Sequence, residues 1–326
     1  MMDLIIKPTQ SCNFKCDFCS SSNISLDNSS KLPLEKIYDF IDNNKVNTII
    51  VNGGDPLMMP PSYYKQLLDH IENFFPETTL SFTTNLWNFY IAPDKWLNIF
   101  TNKNVYVTTS FQYGGERKLN NGTEFSEELF IKVMSRFNSL VGYMPMFISV
   151  ITKKNENDTL KTVKLAKKLG TTCKINPAIR SGRCNYTYPL YKSISKYIEI
   201  IEAGLSEYEY NSNILKKIIN GEHTTCPFNR DCLSTIRCMG PNGELFTCGS
   251  LHDIYLDNIG KGYDLSKYNE KELLKDYSVL KNECLACDLF KLCNGCYRHI
   301  MEIKDSNMIK THCEEMNKLK RKLTAL

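Results

Sequence analysis

Cys12-Asn13-Phe14-Lys15-Cys16-Asp17-Phe18-Cys19 decides how this chain is read. Its three cysteines stand at C-x3-C-x2-C spacing, directly after a short apolar run, Leu4-Ile5-Ile6. A loop leaving a strand can turn three thiolates toward one point. Three is one fewer than closes a tetrahedral zinc site or saturates a four-iron cluster, so one iron is left free to bind something else. The spacing also departs from the paired C-x2-C of zinc knuckles, which makes a structural zinc the weaker reading.

The whole chain sets the bounds for that loop. Its 326 residues suffice for one large domain and a smaller one. Lys and Arg number 40 against 36 Asp and Glu, a net charge of +4 that points to neither nucleic acid nor a membrane surface. No stretch approaches the roughly 18 apolar residues of a membrane span, and the N-terminus has no secretory apolar region. The expected location is cytoplasmic. There, 14 clustered cysteines read as metal ligands rather than as disulfides.

Strand-like and helix-like runs alternate up to about residue 205. The pattern predicts strands at Asp3–Lys7, Thr48–Val51, Thr79–Thr84, Val105–Ser110, Met146–Ile151 and Thr172–Asn176. Helices are expected near 33–44, 62–74, 93–101, 124–140, 157–169 and 193–204. Six β/α units in this order predict an α/β fold with a parallel sheet and helices outside it.

The cysteine motif, with Phe18 just before its last cysteine, resembles the cluster motif of the radical SAM enzymes. The resemblance implies a [4Fe–4S] cluster on Cys12, Cys16 and Cys19, its open iron chelated by the amino and carboxylate groups of S-adenosylmethionine (SAM). One electron then yields a 5′-deoxyadenosyl radical that abstracts hydrogen. It further implies that the six units form a partial (β/α)6 barrel, with the site at the C-terminal ends of the strands. Asn52-Gly53-Gly54-Asp55-Pro56 follows the second strand and is similar to the family's GGEP motif, which holds the methionine amino group; here Asp55 replaces Glu. Its glycines are expected to let the backbone approach the ligand, and its acid to accept from an ammonium. Further cofactor contacts expected from the resemblance are Phe18, Asn85, Ser110, Gln112 (where the family usually has Asp), Arg117 and Ser149. Arg180 and Arg183 are placed at the cavity mouth or on a solvated basic loop, and most tyrosines of residues 186–210 are read as helix packing and linker, with a substrate groove the alternative.

From about residue 220 the composition changes. Nine of the 14 cysteines fall between Cys226 and Cys313 on short turns, the mark of a metal-stapled segment. The series Cys226, Cys232, Gly243-x4-Cys248, Cys284-x2-Cys287-x5-Cys293-x2-Cys296 and Cys313 is similar to the SPASM extension of radical SAM proteins, with one spacing a residue short at Cys293–Cys296. That resemblance implies two auxiliary [4Fe–4S] clusters, one on Cys226, Cys232, Cys248 and Cys296, the other on Cys284, Cys287, Cys293 and Cys313. The expected domains are 1–215 for the barrel and 216–326 for the small cysteine-rich SPASM domain. Asn242-Gly243 is expected to turn a hairpin. Zinc ribbons are the alternative for the array. Cys173, Cys184 and Cys238 are left over; each reads as a small buried hydrophobe, or one of them as a hydrogen-atom donor to a substrate radical.

The function expected from this architecture is modification of a ribosomally made peptide: a thioether or carbon–carbon crosslink, an epimerisation or an oxidation. The partners expected are a peptide or protein substrate and an electron donor such as flavodoxin or ferredoxin. One alternative is the formylglycine reaction of anaerobic sulfatase-maturing enzymes. Those typically carry Asp after the cysteine of G-x4-C, where this chain has Gly249. Radical dehydrogenases of small molecules and a non-catalytic iron–sulfur or zinc protein complete the alternatives.

Overall fold

Alternate residues of the first strand, β1 (Met2–Ile6), already show how the sheet is built: Leu4 and Ile6 are fully buried. The same period of two recurs in β2 (Val46–Val51), β3 (Thr79–Thr83), β4 (Val105–Ser110) and β5 (Met146–Ile151), through Ile49 and Val51, Leu80 and Phe82, Val105 and Val107, and Phe147. The structure is a computed structural model that describes residues 2–21, 24–220, 235–246, 249, 287, 289 and 308–323. The chain divides into two compact units.

The first unit holds residues up to Ile148, the Arg180–Asn185 turn, and two short strands from the C-terminal part, β7 (Ile236–Met239) and β8 (Leu245–Phe246). Pairing runs β4-β3-β2-β1 with every neighbour parallel, and Met146–Ile148 of β5 adds to β4 in parallel. On the other side of β1, β7 pairs in parallel and β8 returns antiparallel to it. That return is the expected hairpin, with Gly243 at φ 83°, a left-handed angle that glycine adopts without strain. Strand β7 lies beyond residue 215 and is hydrogen-bonded to β1.

Helices cover this sheet where the sequence starts and stops them. Residues Leu34–Asn43 form α1, and α2 (Pro61–Phe74) opens on Pro61, whose missing N–H costs nothing in the first turn. It buries Tyr63, Tyr64, Leu67, Leu68 and Ile71. One helix was expected near 93–101, but two short ones form, α3 (Trp87–Ile91) and α4 (Leu97–Phe100), separated at Ala92-Pro93 because proline has no N–H for the ladder. The next, α5 (Glu127–Val141), is capped by Ser126, whose Oγ accepts from Leu129 N at 3.3 Å, and it ends at Gly142 with φ 95°. Aromatic rings fill the layer between sheet and helices. Phe82 lies 4.8 Å from Tyr64 and 5.3 Å from Phe100, and Phe111 stacks on Phe130 at 4.5 Å.

The second unit holds the end of β5, then α6 (Thr159–Lys168), β6 (Cys173–Pro177) beside β5, α7 (Leu190–Glu202), α8 (Tyr210–Ile219) and α9 (Ile309–Leu323). The sequence reading missed α8, treating its start as a tyrosine-rich linker. Its signal is the pair of apolar positions Ile214 and Leu215 behind Glu209, which caps the helix by accepting from Asn211 N and Ser212 N. Glu209 also accepts from Ile175 N at 2.9 Å, so one buried carboxylate ties β6 to α8. Tyr188 and Tyr197 are core residues, and the Tyr197 hydroxyl donates to Ile175 O at 2.7 Å. No helix among the described residues is long and apolar enough to cross a membrane.

Replacing the fully buried Phe82 by Ala removes a ring packed on two others and leaves a cavity beneath the strands that carry the site. A loss of about 3–5 kcal/mol is expected, read as a melting temperature lower by several degrees with the secondary structure retained.

Candidate metal centre

The cysteine loop leaves the C-terminal end of β1 and is held by backbone hydrogen bonds from three other parts of the first unit. Gly54 N donates to Thr9 O and Asp55 N to Ser11 O, both at 2.8 Å. An ideal Cβ on Gly53 would lie 2.4 Å from Thr9 O, and one on Gly54 would lie 2.1 Å from Ser11 O. Within the chain, then, these glycines admit the cysteine loop itself; the expectation was that they admit a ligand. Gly53, at φ 122°, also adopts an angle that other residues avoid.

The second hold comes from residues 116–120, beyond β4. Lys15 N donates to Lys118 O at 2.8 Å, Asp17 N to Glu116 O at 2.9 Å, and Asn120 N to Asn13 O at 2.9 Å. Lys118 Nζ pairs with Asp17 at 2.7 Å, a half-exposed contact worth little beside the backbone bonds. Phe14 packs edge-on against Phe125 at 5.1 Å, which anchors the loop in the aromatic core. The third hold is a turn at residues 181–184, whose Arg183 N donates to Cys19 O at 2.9 Å.

Asp55 is the electrostatic hub of the site. It is 2% exposed, and its carboxylate accepts from Leu57 N (2.9 Å), Asn85 N (2.7 Å) and the Thr84 hydroxyl (2.9 and 3.0 Å). Burial pushes its carboxyl above the usual range, opposed by those donors and by the Arg117 charge. Three donors leave about one lone-pair position on the two oxygens, so an incoming ammonium meets a carboxylate already engaged by its own chain. Pro56 starts the tight turn after it and accepts from the Tyr64 hydroxyl at 2.7 Å. Asn85, another expected cofactor contact, links strand end to cysteine loop, with Nδ2 donating to Asn13 Oδ1 at 2.6 Å and Oδ1 accepting from Trp87 N at 2.8 Å. The next residue, Leu86, is buried at φ 59°, a strained angle for a branched side chain.

Arg117 differs from these residues. It is 7% exposed, its guanidinium carbon stands 5.3 Å from the Phe18 ring centroid, and its Nε has no hydrogen-bond partner among the described residues. A buried guanidinium donor without an acceptor is costly, which marks the place where an anion fits. Ser110 ends β4 half-buried, and Gln112 is buried two residues on. Ser149 is buried on β5 in the second unit.

Cys12, Cys16 and Cys19 take part in no disulfide. Burial, and after it the Asp55 carboxylate, push the Cys12 thiol well above its usual range, while Phe14 N donating to its Sγ at 3.4 Å pulls the other way. A bound cation reverses that balance. Among the described residues no three His, Cys, Asp or Glu side chains converge on a single ion. Three thiols are one fewer than closes a tetrahedral zinc site, and as ligands of a four-iron cluster they leave one iron open. Cys226, Cys232, Cys248, Cys284, Cys293 and Cys296 lie outside the described residues; Cys287 and Cys313 are exposed free thiols, the latter on α9. Of the remaining three, Cys173 is fully buried and donates to Tyr208 O at 3.4 Å, Cys238 is fully buried on β7, and Cys184 sits in the 181–184 turn. Sequence reasoning named Arg117, Arg183 and Cys184 singly, but not the backbone contacts of Glu116, Lys118, Asn120 and the 181–184 turn with the cysteine loop, which pass through peptide groups and carry no motif.

The family model of the Radical SAM superfamily matches residues 6–178. A cysteine-type anaerobic sulfatase-maturating enzyme of Clostridium perfringens (strain 13 / Type A) is 21% identical over 354 residues, spanning 94% of this chain and 91% of that protein. Among solved structures, native anSMEcpe with bound AdoMet shares the fold at a TM-score of 0.64 and 19% identity, covering 91% of this chain and 90% of that one. Streptococcus suis SuiB bound to precursor peptide SuiA shares it at a TM-score of 0.62 and 17% identity, covering 92% and 73%.

Asp55→Ala should strand the three donors it now receives, at a cost of about 1–3 kcal/mol for each one left unpaired. Asp55→Asn keeps one carbonyl acceptor and should lose less. Thermal melting of the two variants beside the parent protein gives the order; equal stability of all three would contradict the hub.

Proposed function

Because the chain belongs to the radical SAM superfamily, with the parallel β/α sheet of its partial barrel, we propose that it abstracts hydrogen from a ribosomally synthesised peptide to crosslink, epimerise or oxidise it. The observation that carries the reading is the cysteine loop: three free thiols on a backbone held from three sides, next to a buried guanidinium whose Nε has no acceptor among the described residues. When bound, SAM at a reduced [4Fe–4S] cluster supplies the hydrogen-abstracting radical. Cys12, Cys16 and Cys19 hold that cluster. Arg117 takes the SAM carboxylate, to which a guanidinium presents two parallel N–H donors. Gly53, Gly54, Asp55 and Pro56 lie against the methionine end, and Phe18, Asn85, Ser110 and Gln112 complete the cofactor surface.

In the C-terminal segment, Cys226, Cys232, Cys248 and Cys296 would hold one auxiliary [4Fe–4S] cluster and Cys284, Cys287, Cys293 and Cys313 the second, in a SPASM domain covering 216–326. A flavodoxin or ferredoxin supplies the electron, in the cytoplasm. Should the reaction need a thiol hydrogen-atom donor, Cys184 is the best placed of the three spare cysteines, because its turn is bonded to the backbone of Cys19. A peptide substrate is supported by two neighbours of the same fold, SuiB bound to its precursor peptide SuiA and anSMEcpe bound to a Cp18Cys peptide.

A second reading, formylglycine formation on a sulfatase, is supported by the similarity to sulfatase-maturating enzymes along 94% of the chain. One residue weighs against it. The position after Cys248 is Gly249, which has no carboxylate to offer, and its carbonyl accepts from the buried Lys7 Nζ at 3.1 Å. Incubation with a Cys- or Ser-type sulfatase peptide separates the two readings by the mass of the product.

Anaerobic reconstitution should give about twelve irons per chain, four for each of three clusters, and dithionite with SAM should release 5′-deoxyadenosine. Cys12→Ala/Cys16→Ala/Cys19→Ala should keep about eight irons and lose SAM cleavage. Arg117→Ala should keep the iron and weaken SAM binding by about 10- to 100-fold, the effect of one lost charge-assisted contact. Zinc in place of iron, or cleavage in the triple variant, would refute the assignment.

A further inference from the structure

The turn at residues 181–184 touches the cysteine loop at two points, and we propose that it is a clasp that sets the third cysteine against the first, with Arg183 as its positioning residue. The turn is closed by reciprocal bonds, Ser181 N to Cys184 O and Cys184 N to Ser181 O, both at 3.0 Å. Gly182 at φ 58° lets it lie flat on its neighbour: an ideal Cβ there would stand 2.7 Å from both Cys19 O and Ser21 O. Arg183 then reaches in two directions. Its backbone N donates to Cys19 O at 2.9 Å, and its Nη2 donates to Ile24 O at 2.8 Å.

The second contact connects the two ends of the motif. Directly after Ile24, Ser25 O accepts from Cys12 N at 3.0 Å, and Leu26 O accepts from the Ser11 hydroxyl at 2.8 Å. The segment that Arg183 holds by its guanidinium is thus the one that braces Cys12, while its own N–H holds Cys19. The other two supports grip residues 9–11 and 13–17. The clasp supplies the grip on Cys19 and Ile24 and closes the loop into a ring. Nothing in the sequence pattern marks it, since Arg183 lies 164 positions from Cys19 along the chain.

The chemistry that follows concerns position. An open-iron cluster binds SAM only if its three cysteines present the fourth iron toward the ligand, so loosening Cys19 relative to Cys12 should weaken SAM binding before it costs iron. The inference rests on the reading of residues 12–19 as a cluster loop. The test is electron paramagnetic resonance of anaerobically reconstituted, dithionite-reduced protein titrated with SAM, in the parent chain and in Arg183→Ala, Arg183→Lys and Gly182→Ala. Arg183→Ala should need about tenfold more SAM for half of the spectral change, the effect of one charge-assisted bond at the low end of its range. Arg183→Lys should fall between, because an ammonium still reaches one carbonyl. Gly182→Ala, which pushes the backbone limb off Cys19, should lose at least as much. Iron content and melting temperature should stay at the parent values in both Arg183 variants.

A normal SAM titration in Arg183→Ala and in Gly182→Ala would overturn the clasp. So would a fall in melting temperature with equal loss of all iron in both Arg183 variants, since that is the behaviour of a general support of the fold. A parent protein without a SAM-responsive signal would overturn the cluster reading beneath it, and that failure is seen before any variant is made.

Discussion

The contact on which the rest of the site depends is backbone against backbone: Gly53 and Gly54 lying on the carbonyls of Thr9 and Ser11. Loops at the ends of adjacent parallel strands come together there because β1 and β2 pair in register, so the end of one strand lies beside the end of the other. A side chain at either glycine would force them apart and release the cysteine loop from the sheet. The chemistry-bearing loop is therefore placed by the strand register, through peptide groups that side-chain substitution elsewhere leaves intact. Phe14 in the aromatic core then converts the stiffness of the sheet into stiffness of the loop.

Charge is arranged around that contact with little to spare. Asp55, Cys12 and Arg117 are buried or nearly so within one small region, and burial raises both the Asp55 carboxyl and the Cys12 thiol. A buried carboxylate beside a partly buried thiol disfavours two negative charges at once, and Arg117, the Thr84 hydroxyl and local N–H donors oppose the cost. Such a site gains most from a cationic metal group, whose charge stabilises thiolate and carboxylate together. The strained Leu86 lies at the end of the same network, next to Asn85 and Thr84, and is held by Leu86 N donating to Thr84 Oγ1 at 3.1 Å.

Much of this architecture was legible in the residues. The period of two in six short runs located the six strands of the β/α series to within two residues, because a strand buried on a sheet has to alternate. The cysteine spacing located the centre. What was not legible had no local signature. The helix α8 hides behind tyrosines that look like a linker, and the break at Ala92-Pro93 needed the backbone path to explain it. The clasp of Arg183 on Cys19 and Ile24 joins positions far apart in the chain through main-chain carbonyls, which every sequence has and no pattern reveals.

The GGDP loop carries Asp55 where the similar family motif has Glu. The carboxylate of Asp55, one methylene shorter, turns back onto Leu57 N, Thr84 and Asn85, and caps the tight turn that begins at Pro56. In doing so it fixes the end of β3 to the end of β2, and through Asn85 and Asn13 it fixes both to the cysteine loop. The acid thus stabilises the frame, while the Nε of Arg117, over Phe18, is left without a hydrogen-bond partner among the described residues.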